Sequence, residues 1–333
     1  MTPTSTTTRT GVTVSGMARA PGWRVVPALI AALIVLIPLV YLAVRAGEIP
    51  FDRVVGVLFE SRAIDYTLNT LALAVSVALS ALLGGVTIAV GMSRGRFPRP
   101  RLWLVLAALP LAIPSYLASY GWLVWSPTLS GFWPSWALLT AVTIPYVILP
   151  TAAALRTVGG DQERVARTLG KNPFNAFWVA TWPHIRPAAL AGTLLVFLYS
   201  VSDFGLVAML RFHTLTWGVN AAYSASFDRN QAAVLAILVV LLALIGVLGE
   251  RRVRGQRQLA PGRSKPIGPR PAPAVRRALM ALSLTPLVVG VVVPLLGLGV
   301  RLFQVETAQT VDVGRLVAAT LWTVAVAIAA AVA

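Results

Sequence analysis

Eight stretches of about 20 predominantly apolar residues dominate this chain, and they leave few fold classes open to it. They run over 25–44, 67–92, 102–125, 136–155, 188–210, 231–249 and 279–300, with the last from about Leu316 onward. A helix needs about 20 apolar residues to cross a hydrocarbon layer roughly 30 Å thick. Inside that layer the backbone must satisfy its own hydrogen bonds, so apolar spans of this length become helices. Only 12% of the 333 residues are charged, against roughly 25% in soluble domains. The expected fold is all-α: a polytopic bundle of transmembrane helices.

The net charge of +17 would suggest nucleic acid in a soluble protein. Here the arginines lie between the spans, so no nucleic-acid partner is expected. Arg9, Arg19 and Arg24 precede the first span. Arg94, Arg96, Arg99 and Arg101 follow the second, and Arg156, Arg164, Arg167, Lys171 and Arg186 follow the fourth. A further basic run follows the sixth. The loops between these are mixed in sign or uncharged. The positive-inside rule therefore puts the N-terminus and all four basic segments in the cytoplasm. No cysteine is present, which excludes disulfides, thiol catalysis and cysteine-based metal sites.

The chain also repeats itself. LIPLVYLAVR (36–45) resembles VVPLLGLGVR (292–301), and TLNTLALA (67–74) resembles TLWTVAVA (320–327), in the same order and at nearly the same offset. A duplicated membrane unit is expected, as in many transporters. The division read from this is a disordered cytoplasmic tail over 1–23, a first membrane domain over 24–249, a flexible basic linker over 250–277 and a second domain begun at 278–333. The final AVAIAAAVA stops inside an apolar run, so the second unit is expected to continue beyond it.

One segment breaks the pattern. GGDQERVARTLGKNPFNAFWVATWPHIRP joins the fourth and fifth spans and is long and aromatic for a connector. Asp161 suits an N-cap and Glu163 the first turn of a short helix. Val165 and Leu169 then share a face. Gly170 suits a left-handed C-terminal cap. Asn172 can cap a second helix with Pro173 at its first position. Phe174, Phe177, Trp178, Thr181 and Trp182 would form one face, and Pro183 would end or kink the helix. Such an elbow must pack either on the ends of the spans or in the groove of a partner.

These residues resemble the cytoplasmic coupling loop, or EAA loop, of the inner-membrane permeases of ABC importers. Ala166 matches the second alanine of that motif, Gly170 its glycine and Pro183 its distal proline. Arg164 stands where the glutamate is usual, Val165 replaces the first alanine, and Glu163 lies one place early. TLNTLALA resembles the start of the permease core. LPLAIPSYLASYG (109–121), YSVSDFG (199–205) and the block from Arg211 through SFDRNQAA resemble the ferric iron branch, where two permease halves are often fused.

The resemblance implies a type I importer permease fold, duplicated in one chain of the cell inner membrane. It has no ATPase and no cofactor of its own, and no phosphate-binding Gly-rich motif contradicts that. A cytoplasmic dimer of ATP-binding subunits would receive the elbow. A periplasmic or lipid-anchored binding protein would deliver the substrate, ferric iron by the closest resemblance and thiamine, polyamine or phosphonate in related branches. Gly170 would allow the turn, and Phe174, Phe177 and Trp178 would brace the elbow. Glu163, Arg164 and Arg167 would make polar contacts with the ATPase.

Asp203 is the only acid well inside an apolar span. Such a group lines a pathway or is held by a neighbour, here Tyr199, Ser200 or Ser202. His184 and His213 fall on opposite sides of the membrane, too far apart to share a metal. Asp228 and Arg229 suit either plain surface charge or contact with a binding protein. A gradient-driven secondary transporter is the other reading of repeated spans, but it gives no reason for the elbow. A non-transporting scaffold would not need the Gly and Pro placed within spans at Gly84, Gly85, Pro110, Pro114, Pro145 and Pro150.

Overall fold

The structure, a computed structural model, describes residues 22–95, 97–158, 161–224, 228–254, 272–304 and 313–332. Most of the tail (1–21) and of the linker (255–271) lies outside the described residues. Among the described residues every regular element is helical. In chain order these are α1 (Gly22–Gly47), α2 (Phe51–Leu58), α3 (Ser61–Arg94), α4 (Pro100–Ala108), α5 (Ser115–Trp125), α6 (Phe132–Thr143), α7 (Pro145–Thr157) and α8 (Asp161–Thr168). There follow α9 (Pro173–Ala176), α10 (Trp182–Ser202), α11 (Gly205–Met209), α12 (Leu215–Ser224), α13 (Arg229–Arg254), α14 (Pro273–Leu287), α15 (Val293–Gln304) and α16 (Val313–Val332). Seven helical stretches are long and apolar enough to cross a membrane, or eight if a bent pair counts as one span.

That bent pair corrects the span expected over 102–125. Pro100–Ala112 and Ser115–Trp125 meet at 87°. Pro114 lacks an N–H and disfavours helical geometry at Ile113, whose φ of −100° and ψ of 118° are extended. The fifth span is also corrected. Its helix starts well before 188 and ends at Ser202, and Gly205–Met209 is a separate short helix.

The core forms where α3, α7 and α10 meet. Leu73, Val77, Ala81, Ile88, Val147, Ile148 and Val196 are all buried there. Small residues let these helices approach closely, which drives association where the solvent is itself apolar. A Cβ at Gly85 would lie 2.8 Å from Val147 Cβ, and one at Gly192 would overlap the Tyr146 carbonyl oxygen. Leu29, Ile30, Leu33 and Ile37 of α1 stay exposed, as do Leu316, Leu321 and Trp322 of α16. Their surroundings in a bilayer are hydrocarbon.

α14 and α15 pack onto the preceding helices. α15 lies against α5, where Gly121 and Gly297 bring the two backbones together. A π turn over Val288–Val292 precedes Pro294. The backbone donor that residue 294 would supply is missing because it is proline. Trp122 Nε1 donates to the Val289 carbonyl at 2.8 Å and Trp125 Nε1 to Val293 at 3.2 Å.

Candidate functional site

The elbow is built from two helix ends. Leu169, Gly170 and Lys171 close α8. Gly170 has φ +82°, its N–H donates to the Arg167 carbonyl, and the Lys171 N–H reaches back to Ala166. That pair of bonds is a Schellman cap, and the left-handed residue it needs is cheap only for glycine. Asn172 then opens α9, its Oδ1 accepting from the Asn175 N–H at 2.7 Å, with Pro173 in the first helical position. Asp161 is itself the first residue of α8, one place later than the N-cap expected of it.

Pro183 does not end the helix. The helix enters a π turn over Phe177–Thr181 and runs on through Ser202. The π turn takes up the proline by moving the Trp182 N–H onto Phe177, five residues back. The extra residue also rotates Thr181 inward, to 2% exposure. Thr181 is thereby separated from the aromatic face expected to include it.

Inside the elbow sits Glu163, 1% exposed. Its Oε2 accepts from Arg94 Nη2 at 2.5 Å and from Thr181 Oγ1 at 2.8 Å. Arg94 Nη2 is also 3.2 Å from Thr181 Oγ1, and its guanidinium lies 5.2 Å from the Phe177 ring centre. Arg167 Nη2 is 3.8 Å from the other carboxylate oxygen. The expectation that Glu163 meets a partner is corrected: burial has turned its carboxylate inward, onto the last residue of α3. Arg94 was legible only as one more positive-inside charge. No local signal in the sequence pairs it with an acid far along the chain.

The outer surface of the elbow is apolar. Val165 and Leu169 are exposed on one face of α8, and Phe174, across the turn in α9, is 68% exposed. Ala166 is buried beneath, while Arg164 and Lys171 are exposed at the rim. Phe174, Phe177, Trp178 and Trp182 stack edge to face along the adjoining side, with centroids 5.0–6.0 Å apart. Phe177 packs inward while Phe174 and Trp178 remain exposed. The brace expected of the three aromatics is thus divided.

At the opposite end of α10, Asp203 is 8% exposed. It accepts from Ser115 Oγ at 2.5 Å and from the Leu206 N–H at 3.0 Å. The Thr216 hydroxyl donates to its backbone carbonyl at 2.8 Å. One carboxylate thus joins the start of α5 to the start of α11, the two interrupted helices of the bundle. The expected serines do not hold it. Ser200 and Ser202 donate to the carbonyls of Val196 and Leu198 within their own helix. Nothing local in the sequence singles out Ser115. Asp228 Oδ1 accepts from the Asn230 and Gln231 N–H groups at the start of α13, and its other oxygen lies 3.8 Å from Arg53.

Comparison with known proteins bears on all of this. The family described as the binding-protein-dependent transport system inner membrane component matches residues 81–253, over half of the chain. The chain is 30% identical over 241 residues to an Fe(3+)-transport system permease protein of Haemophilus influenzae, a match covering 72% of this chain and 48% of that protein. The chain therefore spans about half the length of that relative. It is 30% identical to a molybdenum transport system permease protein of Mycobacterium tuberculosis, over 69% of this chain and 93% of the relative. A sulfate transport system permease protein of Synechocystis is 30% identical over 64% and 84%.

Proposed function

Because this chain belongs to the binding-protein-dependent transport inner membrane components, the permeases of ABC importers, we propose that the elbow over 161–187 couples it to a separate ATP-binding subunit. The observation that carries this reading is the exposed apolar knob of Val165, Leu169 and Phe174 on a firmly capped, internally pinned turn. Exposed side chains of this size on a rigid support mark an interaction surface. An ATP-binding dimer that closes on ATP would press the knob. The press would pass through Glu163 to Arg94 and so into α3, while the helix continuous from the elbow carries it into α10.

In this reading the exposed Arg164 and Lys171 supply polar contacts around the knob, Arg167 stays turned toward Glu163, and Gly170 holds the turn. The N-terminus and elbow lie on the cytoplasmic side, supported by the arginine distribution. Asp203 stands at the junction of two interrupted helices, where transporters place their pathways, and we assign it to the pathway wall. Residues 24–249 form the first permease domain and 278–333 begin a second. A periplasmic or lipid-anchored binding protein delivers the substrate at the end of the bundle that carries Asp203.

We assign ferric iron as substrate, supported by the Fe(3+) permease relative. The molybdenum and sulfate relatives define the competitors to be tested. The decisive experiment is co-purification of the full-length protein with candidate ATP-binding subunits, with ATPase activity measured in proteoliposomes. Leu169→Asp and Phe174→Asp should abolish association and ATPase stimulation while the purified permease stays folded. Association that survives both substitutions would overturn the coupling role of the knob. Uptake of ferric iron, molybdate and sulfate by the assembled transporter identifies the substrate.

A further inference from the structure

A furrow runs along α3 from the elbow into the membrane. Its walls are Leu82, Leu83, Val86, Thr87 and Val90 on one side, with Phe177, Trp178 and Trp182 at its head and Leu279 of α14 along its edge. It encloses 810 Å³, within the roughly 300–1,000 Å³ usual for small-molecule sites. Leu83 stays 69% exposed at its open side. From Leu82 to Arg94 the furrow runs about 18 Å at 1.5 Å per residue, close to the roughly 15 Å depth of one leaflet's hydrocarbon.

Its head is charged. Arg94 and Arg167 both line it, and both face a single carboxylate, Glu163. One positive charge is therefore in excess. Glu163 Oε2 is shared between Arg94 and Thr181, and Oε1 is beyond hydrogen-bond distance of Arg167 Nη2, at 3.8 Å. Arg167 Nε and Glu163 Oε1 are both buried without a hydrogen-bond partner, so the Arg167 charge is only loosely paired. The tryptophans stand where such rings favour the boundary between hydrocarbon and headgroups.

We propose that this furrow is a binding site for one anionic phospholipid, its phosphate on Arg167 beside Arg94 and an acyl chain laid along Leu83–Val90. In an anionic phospholipid the phosphodiester charge is not cancelled by a cation on its own headgroup, so it supplies the one negative charge that the head of the furrow lacks, and its oxygens can accept from the exposed side of the Arg167 guanidinium. A basic pocket between membrane helices at the headgroup level is the usual form of such sites. The bound lipid would wedge between α3, the elbow and α14. The proposal requires only that α3 crosses the bilayer and stands apart from the choice of transported substrate.

The test uses the full-length protein in detergent, titrated with phosphatidylglycerol or phosphatidylcholine and weighed intact by native mass spectrometry. Wild type should retain phosphatidylglycerol in preference to phosphatidylcholine. Arg167→Gln should lower that retention about fivefold, the weight of one basic side chain at an anionic surface. Thr87→Trp, which fills the furrow and leaves every charge in place, should lower it comparably, while Arg101→Gln should not. Thermal unfolding confirms that each variant is folded, and either furrow variant alone suffices. Equal retention of the two lipids would overturn the proposal by removing headgroup recognition. Unchanged retention in both furrow variants would place the lipid elsewhere and mean that another part of the protein covers the furrow.

Discussion

Replacing Arg94 with glutamine strands the Glu163 carboxylate. That carboxylate is 1% exposed. After the change it keeps only the Thr181 hydroxyl at 2.8 Å and the Arg167 guanidinium at 3.8 Å. Removing one partner of a buried ion pair costs about 3–5 kcal/mol. Arg167 can close part of the gap, so the lower end, about 3 kcal/mol, is expected here. The reverse change, Glu163→Gln, is gentler. Arg94 retains 23% exposure and its place over the Phe177 ring, so it can turn toward water. The loss is then about 1–2 kcal/mol, that of a charge-assisted hydrogen bond. Arg94→Met combined with Glu163→Leu removes both members of the buried pair, and Arg167, 32% exposed, can turn toward water, so it should recover most of the deficit of Arg94→Gln. The assay is unfolding in mixed detergent micelles with a rising fraction of a denaturing detergent, followed by tryptophan fluorescence. The reasoning is refuted if Arg94→Gln costs no more than Glu163→Gln, or if the double variant is the least stable of the three.

Other outcomes follow from the packing. Gly192→Leu pushes a side chain into the Tyr146 carbonyl and should cost at least about 1–3 kcal/mol, whereas Gly299→Leu meets open space and should unfold like wild type. Trp122→Phe removes the donor to the Val289 carbonyl, and a loss of about 1–2 kcal/mol should appear as faster amide exchange in α15. Asp203→Asn keeps an oxygen for the Leu206 N–H and should stay folded, while Asp203→Ala should loosen α11 in the same exchange measurement. Transport lost in the folded asparagine variant would assign the role to the charge; transport retained would refute the pathway role of that charge.

Local chemistry made much of the elbow readable. Gly170, Asn172 and Pro173 act through bonds to residues at most five places away, and each does what its type and position predict. Pro114 broke a helix, although the span around it reads as continuous because apolar content alone is blind to geometry. Of the two outcomes open to Pro183, ending the helix or distorting it, the structure excludes only the first. A proline forbids one hydrogen bond, but whether the helix stops or shifts into a π turn depends on what the turned residues gain, here a buried contact for Thr181.

The sequence by itself determined the membrane class, the helical fold, the approximate spans and the family, because hydrocarbon thickness and backbone satisfaction act on every apolar run alike. It also marked the elbow as foreign to that pattern. Only the tertiary structure decided which charges the elbow offers outward and which it keeps. Glu163 and Arg94 are distant in the chain, and so are Ser115 and Asp203; the first pair meets because α3 packs on α10 and α8 on the π turn that leads into it, the second because α5 packs on α11, where Gly205 lies against Tyr116. Burying a carboxylate demands a partner. Which residue answers that demand is set by how the helices pack, and no local signal in the sequence names it.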